Sequence, residues 1–172
     1  MPRKAIMPLL FLIVFALGAR AQQNLPPPPH VHDAANVIDG KIHPEMIKDR
    51  VAFRLFFLAA ATSVDANPDE RKRQRAMLSP ARLTDEELAI ASTILTDFKK
   101  QYDLVVQNYN DAVKSARTPE QLPNGKKLAA ELDALVLAAK TKLESSVSGD
   151  GSRRLYAHVQ SEKSNMRVTV DE

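Results

Sequence analysis

The chain is dominated by one long stretch, residues 83–116, in which apolar residues recur at every third or fourth position. The members of this stripe are Leu88, Ala91, Leu95, Phe98, Tyr102, Val105, Tyr109 and Ala112. Such spacing places them on one face of an α-helix. Thr84 and Glu87 stand three residues apart at its start, as in a capping box in which each side chain accepts a hydrogen bond from the other residue's amide. We therefore predict one long helix that packs against other helices.

Four further segments have a helical period or the start signals of helices. They are residues 44–62, 67–79, 125–146 and 152–166, with a hinge predicted at 148–151. Ten of the eleven residues from 51 to 61 are apolar, a run that is too short to span a bilayer and that suits a buried helix. Because the loops are short, we predict an all-α protein, a mostly antiparallel bundle of four main helices plus one short helix.

Residues 1–21 have the three parts of a secretory signal peptide. Arg3 and Lys4 precede an unbroken apolar run at residues 9–17, and an A-x-A site predicts cleavage before Gln22. The alternative is an uncleaved membrane anchor, but a span requires ~20 apolar residues, about twice the length of this run. The pattern therefore predicts an exported protein, located in a bacterial periplasm or outside the cell.

The rest of the chain divides into a linker, one folded domain and a short tail. Residues 22–40 contain four consecutive prolines and are predicted to be a disordered linker. We predict that residues 41–167 form the helical domain. Residues 168–172 are predicted to be a C-terminal tail that frays.

Charge and cysteine content exclude several kinds of protein. Removal of residues 1–21 leaves 21 Lys and Arg residues against 21 Asp and Glu residues, so the formal charge of +3 falls to about zero. Proteins that bind nucleic acids usually carry a strong positive excess, and we predict no nucleic-acid partner here. The chain has no cysteine and therefore no disulfide framework, thiolate metal site or thiol nucleophile.

Two short patterns are candidate sites. His30 and His32, followed by a carboxylate, offer ligands suited to Zn²⁺ or Cu²⁺. The alternative is a solvated linker, because histidines two positions apart face opposite sides of a regular chain and no further ligand is close in sequence. We predict no bound metal or other cofactor, and these two histidines are the only metal-ligand candidates.

The second pattern is the basic run Arg71, Lys72, Arg73 and Arg75. It could contact an anionic partner, such as a lipid headgroup or a client protein. The alternative is a solvated helix whose acidic start and basic end match the helix dipole.

The sequence has no recognisable catalytic arrangement. It lacks the G-x-S-x-G, P-loop and H-E-x-x-H motifs, and it lacks the Glu-x-x-His pairs of di-metal helical bundles. We predict that the protein is not an enzyme.

Two pentads resemble the L-T-x-x-Q motif. They are Leu-Thr-Asp-Glu-Glu at residues 83–87 and Arg-Thr-Pro-Glu-Gln at residues 117–121. The motif marks small helical periplasmic stress proteins of the Spy and CpxP type. This resemblance implies an exported, non-catalytic protein that binds unfolded clients on a helical surface, as the Spy type does.

A broader similarity covers residues 37–56 and 155–163, which resemble small exported bacterial proteins of unknown function. That resemblance implies a helical fold and export, and no particular activity. The sequence thus predicts an exported, non-catalytic helical protein with a binding or structural role in the cell envelope. The alternative is a Spy- or CpxP-like chaperone or stress-response protein. A protein partner or client is possible under both hypotheses, and the oligomeric state is left open.

Overall fold

Helices account for most of the regular structure. A computed structural model describes residues 37–169 of the protein. The elements are β1 (Val37–Asp39), α1 (Asp49–Ala60), α2 (Pro68–Leu78), α3 (Asp85–Ser115), α4 (Gly125–Ser146), α5 (Gly149–Glu162) and β2 (Arg167–Thr169). Short 3-10 turns lie at Pro44–Met46, Ser79–Ala81, Pro119–Gln121 and Lys163–Asn165. The predicted all-α fold class is confirmed.

Helix α1 forms the centre of the hydrophobic core. Its side chains Phe53, Phe56 and Phe57 are buried, and it contacts each of the other four helices. The Phe57 ring packs edge-on against Phe53 and against Phe98 of α3, with ring centroids 5.5 and 5.6 Å apart. Edge-to-face packing of this kind is favourable because the positive ring edge meets the negative ring face. The apolar run at 51–61 is therefore a buried helix, as its composition predicts.

Side-chain caps fix where most helices begin. Helices α2, α3, α4 and α5 follow Asn67, Thr84, Asn124 and Ser148, whose side chains accept hydrogen bonds from amides of the first turn. Thr84 Oγ1 accepts from the Glu87 amide at 3.2 Å, and the Glu87 carboxylate accepts from the Thr84 amide at 2.9 Å. The predicted capping box and the single long helix after it are both confirmed.

Two predicted helix boundaries are wrong. The segment 44–62 contains a 3-10 turn and then α1, because Ile47 and Lys48 have extended backbone angles that separate the two. The predicted hinge at 148–151 is instead the first turn of α5. Ser148 Oγ accepts from the Gly151 amide at 3.0 Å and so converts a flexible sequence into a capped helix start.

A two-stranded ribbon corrects the predicted ends of the domain. Strand β1 pairs antiparallel with β2, so residues 37–40 are not linker and residues 168–169 are not a frayed tail. Arg167 also contacts the Asp39 carboxylate, at 3.0 Å. Three paired residues on each strand are too few for sequence alternation to reveal. The pairing becomes favourable because both segments lie beside the helical core, where Ile38 and Val168 pack.

Helices α3 and α4 form an antiparallel hairpin. Near the core, Lys142 Nζ of α4 lies 3.8 Å from the Asp97 carboxylate of α3. At the other end, Tyr109 of α3 faces Leu128 of α4 across a groove. With 31 residues, α3 is about 46 Å long, whereas the 12 residues of α1 extend over only about 18 Å. The hairpin therefore extends beyond the helices that cover its base.

Candidate functional site: the distal hairpin

The basic run does not form a single cationic cluster. All four side chains, Arg71, Lys72, Arg73 and Arg75, are exposed on α2, and steps of 100° between successive residues spread them around the helix. Among the described residues, no carboxylate lies within 4.0 Å of any of them. Arg71 is turned back and donates from Nε and Nη2 to the Ala66 carbonyl at 2.9 and 2.7 Å. Contact of this run with an anionic partner stays a prediction.

The metal-ligand candidates His30 and His32 lie outside the described residues. Within residues 37–169, no group of three or more His, Asp or Glu side chains is placed to hold a metal ion.

No helix in this part of the chain is both long enough and apolar enough to cross a bilayer.

The most unusual surface of the described chain is the outer part of the helical hairpin, residues 99–131, which we call the distal hairpin. Not one residue in this range is buried. The N-terminal half of α3 is different, because Ala91, Ile94, Leu95 and Phe98 are all buried in the core. The sequence predicts that the whole helix packs against other helices. The apolar stripe of α3 reaches the core only as far as Tyr102, which is half-buried and packs against Phe98 with ring centroids 5.7 Å apart.

Apolar side chains remain at the surface of the distal hairpin. Leu104, Val113 and Leu122 are 57%, 38% and 54% exposed. They lie on the outer part of the α3–α4 hairpin, since the buried residues of α3 end at Phe98 and those of α4 begin at Leu132. Helix α1 approaches this part of the hairpin only at Ala129 of α4 among the described residues that line cavities. Exposed apolar residues that lie singly need no explanation, whereas several of them on one projecting element indicate an interaction surface.

A groove of about 260 Å³ runs between the two helices of the distal hairpin. Val105, Tyr109 and Leu128 give it an apolar base. Lys127 and Glu131 on α4 also line it and bring opposite charges to the groove. Asn108 and Asn124 add amide groups, so the lining is mixed, and the groove suits a protein segment that offers both apolar and hydrogen-bonding groups.

The charges of the distal hairpin are mixed and partly paired. Residues 99–131 contain six Lys and Arg and four Asp and Glu residues, a difference of only two. Lys99 contacts Asp103 at 2.7 Å, and Lys114 contacts Asp111 at 3.4 Å. A surface with so little net charge recognises a partner mainly through shape and apolar contact, since strong electrostatic steering requires a large excess of one sign.

Two polar junctions connect helices that are distant in the sequence. In the first, Asp49, the first residue of α1, accepts hydrogen bonds from Lys163 at 2.7 Å, Tyr156 at 2.7 Å and Gln160 at 3.1 Å. The Lys163 and Tyr156 hydrogen bonds lower the pKa of Asp49 to about 2, and the bond to Asp49 raises the pKa of Tyr156. These contacts attach α5 to the start of α1.

The second junction joins the starts of α3 and α5. The Glu87 carboxylate accepts from the Ser148 amide at 2.8 Å in addition to its capping bond with Thr84. Hydrogen bonds from the Ser148 side chain, the Thr84 amide and the Ser148 amide lower the pKa of Glu87 to about 2. A Cβ at Gly151 would lie only 3.0 Å from Glu87 Oε1, so any larger residue there would force the Glu87 carboxylate to shift by a few tenths of an ångström. Both junctions are explained by stability alone.

Each of the two L-T-x-x-Q-like pentads has a local structural role. The first is the capping box of α3. In the second, Gln121 Oε1 accepts from the Arg117 amide at 2.8 Å at the tip of the distal hairpin.

Comparison with known proteins adds no further assignment. No protein-family model matches the chain, and no curated protein or solved structure is significantly similar to it.

Proposed function

We propose that the protein is an exported, non-catalytic helical binding protein of the cell envelope, and that its distal hairpin contacts a partner protein. One observation carries the proposal: none of residues 99–131 is buried, although this arm carries the exposed side chains Leu104, Val113 and Leu122. A partner that covered them would remove apolar surface from water, which is the main favourable term in most protein associations.

The groove between Tyr109 and Leu128 favours a defined partner. An interface usually derives most of its binding energy from a few anchor side chains in central pockets, surrounded by contacts that exclude water. The groove supplies such a pocket, and Leu104 and Leu122 are exposed apolar residues of the same hairpin.

Cross-linking in cells tests the location of this contact. A photoreactive residue replaces Leu104 or Leu122 in the distal hairpin, and Leu137 serves as the matched control. Leu137 is 64% exposed but lies on α4 outside residues 99–131. We expect the same cross-linked adduct from positions 104 and 122 and none from position 137. Equal adducts at all three positions, or none at any of them, would contradict the proposal.

The alternative is a chaperone of the Spy or CpxP type, and one observation favours it. The exposed apolar residues are spread along the arm, which would let it contact unfolded chains of varied sequence. This alternative predicts that the purified protein suppresses aggregation of a chemically denatured model protein on dilution. Leu104→Ser with Leu122→Ser should then weaken the suppression, and Leu137→Ser should not. If the unsubstituted protein has no effect at equimolar ratio, client binding is excluded.

Export has a direct test of its own. The signal peptide at residues 1–21 predicts that protein purified from the cell envelope begins at Gln22. An intact N-terminus on a membrane-bound product would instead support the anchor alternative.

A further inference from the structure

A second groove lies where the ribbon of β1 and β2 meets α4 and the start of α1. Its volume is about 300 Å³, at the lower end of the range for small-ligand sites. Ile38 and Val168, which are paired in the ribbon, line one side, and Val51 of α1 and Ala129 of α4 line the others. Six of the eleven lining residues are apolar. The groove can therefore enclose the apolar part of a small molecule.

The groove also has an excess of positive charge. Lys48, Arg50 and Arg54 line it, and its single acidic lining residue is Asp133. Each of four other grooves in the described chain instead balances one cation with one carboxylate. These are Lys140 with Glu144, Lys142 with Asp97, Lys127 with Glu131, and Arg71 with Asp97. The charge of the lining thus favours an anionic ligand at this groove and at none of the other four.

Two of the three cations are available to such a ligand. Arg50 Nη1 lies 3.0 Å from the Asp133 carboxylate, so the one acid of the groove already has a partner. Within residues 37–169, no carboxylate lies within 4.0 Å of Lys48 or Arg54. Lys48 is exposed, whereas Arg54 is half-buried and is therefore partly removed from the water that would solvate its charge. The planar fork of a guanidinium matches the two oxygens of a carboxylate.

Helix α1 brings basic and apolar side chains together along this groove. Val51 lies three positions before Arg54 and Arg50 lies four positions before it, so the three residues are neighbours on the helix surface. Ile47 is only 1% exposed and forms part of the apolar base, whereas Lys48 and Arg50 are exposed. An apolar base beside unpaired cations suits a molecule that has an apolar chain and an anionic head.

We propose that this groove binds a small amphiphilic carboxylate. Its apolar chain contacts Ile38, Val51 and Val168, and its carboxylate is held by Arg54 and attracted by Lys48. A small inorganic anion would leave the apolar lining exposed to water, and a neutral hydrocarbon would leave the two cations without a counter-charge. The site shares only Ala129 with the distal hairpin and is separate from the proposed partner surface.

The test uses octanoate as the probe and NMR of the isotope-labelled protein as the measurement. We expect saturable shifts of the backbone amides of Val51, Ala129 and Val168, one on each side of the groove. The expected Kd is on the order of 1 mM, as for a ligand of about ten non-hydrogen atoms. Arg54→Met should weaken binding about tenfold, because it removes the charged donor and keeps a long apolar side chain. The matched control Arg75→Met, on α2 and outside the groove, should leave the Kd unchanged.

Two further probes separate the contributions of the head and the chain. Octanol has the same chain without the charge, and we expect it to bind about tenfold more weakly than octanoate. Acetate has the carboxylate without the chain, and we expect it to cause no saturable shifts. Together these results would show that binding requires both the cations and the apolar lining.

Other outcomes overturn the proposal. Equal binding of octanol and octanoate, unaffected by Arg54→Met, would indicate an apolar groove that does not select a charge. Shifts that grow linearly with octanoate and appear equally with acetate would indicate an adventitious ion only. Tighter binding of an acidic peptide than of octanoate would indicate a protein partner instead. Absence of saturable shifts in the folded protein would exclude the site.

Residues 170–172 require a separate control, because they include two acidic residues and directly follow Thr169, which lines the groove. If octanoate bound only after removal of these residues, the groove would belong to that acidic segment and the proposal would be wrong. We expect the same Kd with and without them. Loss of partner cross-linking at the distal hairpin would leave octanoate binding unchanged, so the two proposals fail separately.

Discussion

Replacement of Asp49 by Asn tests whether the polar junction at the start of α1 stabilises the fold. Lys163 Nζ donates to the Asp49 carboxylate at 2.7 Å, and the Lys163 side chain is only 9% exposed. Asn keeps the shape of Asp49 and removes its charge. The variant therefore leaves an almost buried ammonium group without its counter-charge, and it also removes a negative charge from the start of a helix.

The size of the effect follows from the pKa of Asp49, which is lowered from 3.8 to about 2. One pKa unit corresponds to ~1.4 kcal/mol, so the lowering sets an upper limit of ~2.5 kcal/mol. Half of the Asp49 side chain is exposed, and screening by solvent reduces this contribution to about 1 kcal/mol. With the uncompensated Lys163 charge included, we expect Asp49→Asn to lower the free energy of unfolding by about 1–2 kcal/mol at pH 7.

Urea unfolding followed by circular dichroism measures this change. Asp103→Asn is the matched control, because its exposed contact with Lys99 on one helix should contribute no more than about 0.5 kcal/mol. The folded pKa of Asp49 lies below its unfolded value. The contribution of Asp49 to the free energy of unfolding is therefore complete above about pH 4 and is lost as the pH falls through about 2. The reasoning would be refuted if the two variants had the same free energy of unfolding at pH 7, or if the difference between them did not shrink toward pH 2.

Three further substitutions test the core and the junctions. Phe57→Ala should lower the free energy of unfolding by about 3–5 kcal/mol in urea, because Phe57 is fully buried and packs against other rings. Gly40→Ala should lower it by about 1–3 kcal/mol, since its Cβ would collide with the Lys163 carbonyl; faster hydrogen exchange in β1 would accompany this loss. Glu87, with its lowered pKa, stabilises the fold above about pH 4.5 and loses this effect toward pH 2. In Glu87→Gln, thermal unfolding should show a weaker dependence on pH across that interval.

Local patterns in the sequence account for the helices and for most of their starting points. The Thr84 and Glu87 capping box connects residues only three positions apart, so the sequence contains the whole interaction. The apolar run at residues 51–61 likewise predicts a buried helix, and α1 is the centre of the core. Boundaries were wrong where a local signal had two meanings. The glycines after Ser148 suggested a hinge, although they lie inside a capped first turn.

The candidate sites depended far less on local patterns. Apolar spacing along α3 indicates which residues share a face, but it does not show how far other helices cover that face. The length of α3 relative to α1 was the available signal for the distal hairpin. No sequence pattern marked Gln74 as buried, although only 5% of it is exposed, because a glutamine on a short polar helix is ordinarily solvated.

The amino-acid sequence by itself determined the all-α class, the long continuous helix and its cap, since these depend on contacts between residues three or four positions apart. Only the tertiary structure decided the pairing of β1 with β2, the contact of Asp49 with Lys163 and that of Glu87 with Ser148. Those partners are 61 or more positions apart in the chain. They meet because packing of the apolar helix faces brings their backbones together. The periodicity of one segment contains no information about which distant segment will lie beside it.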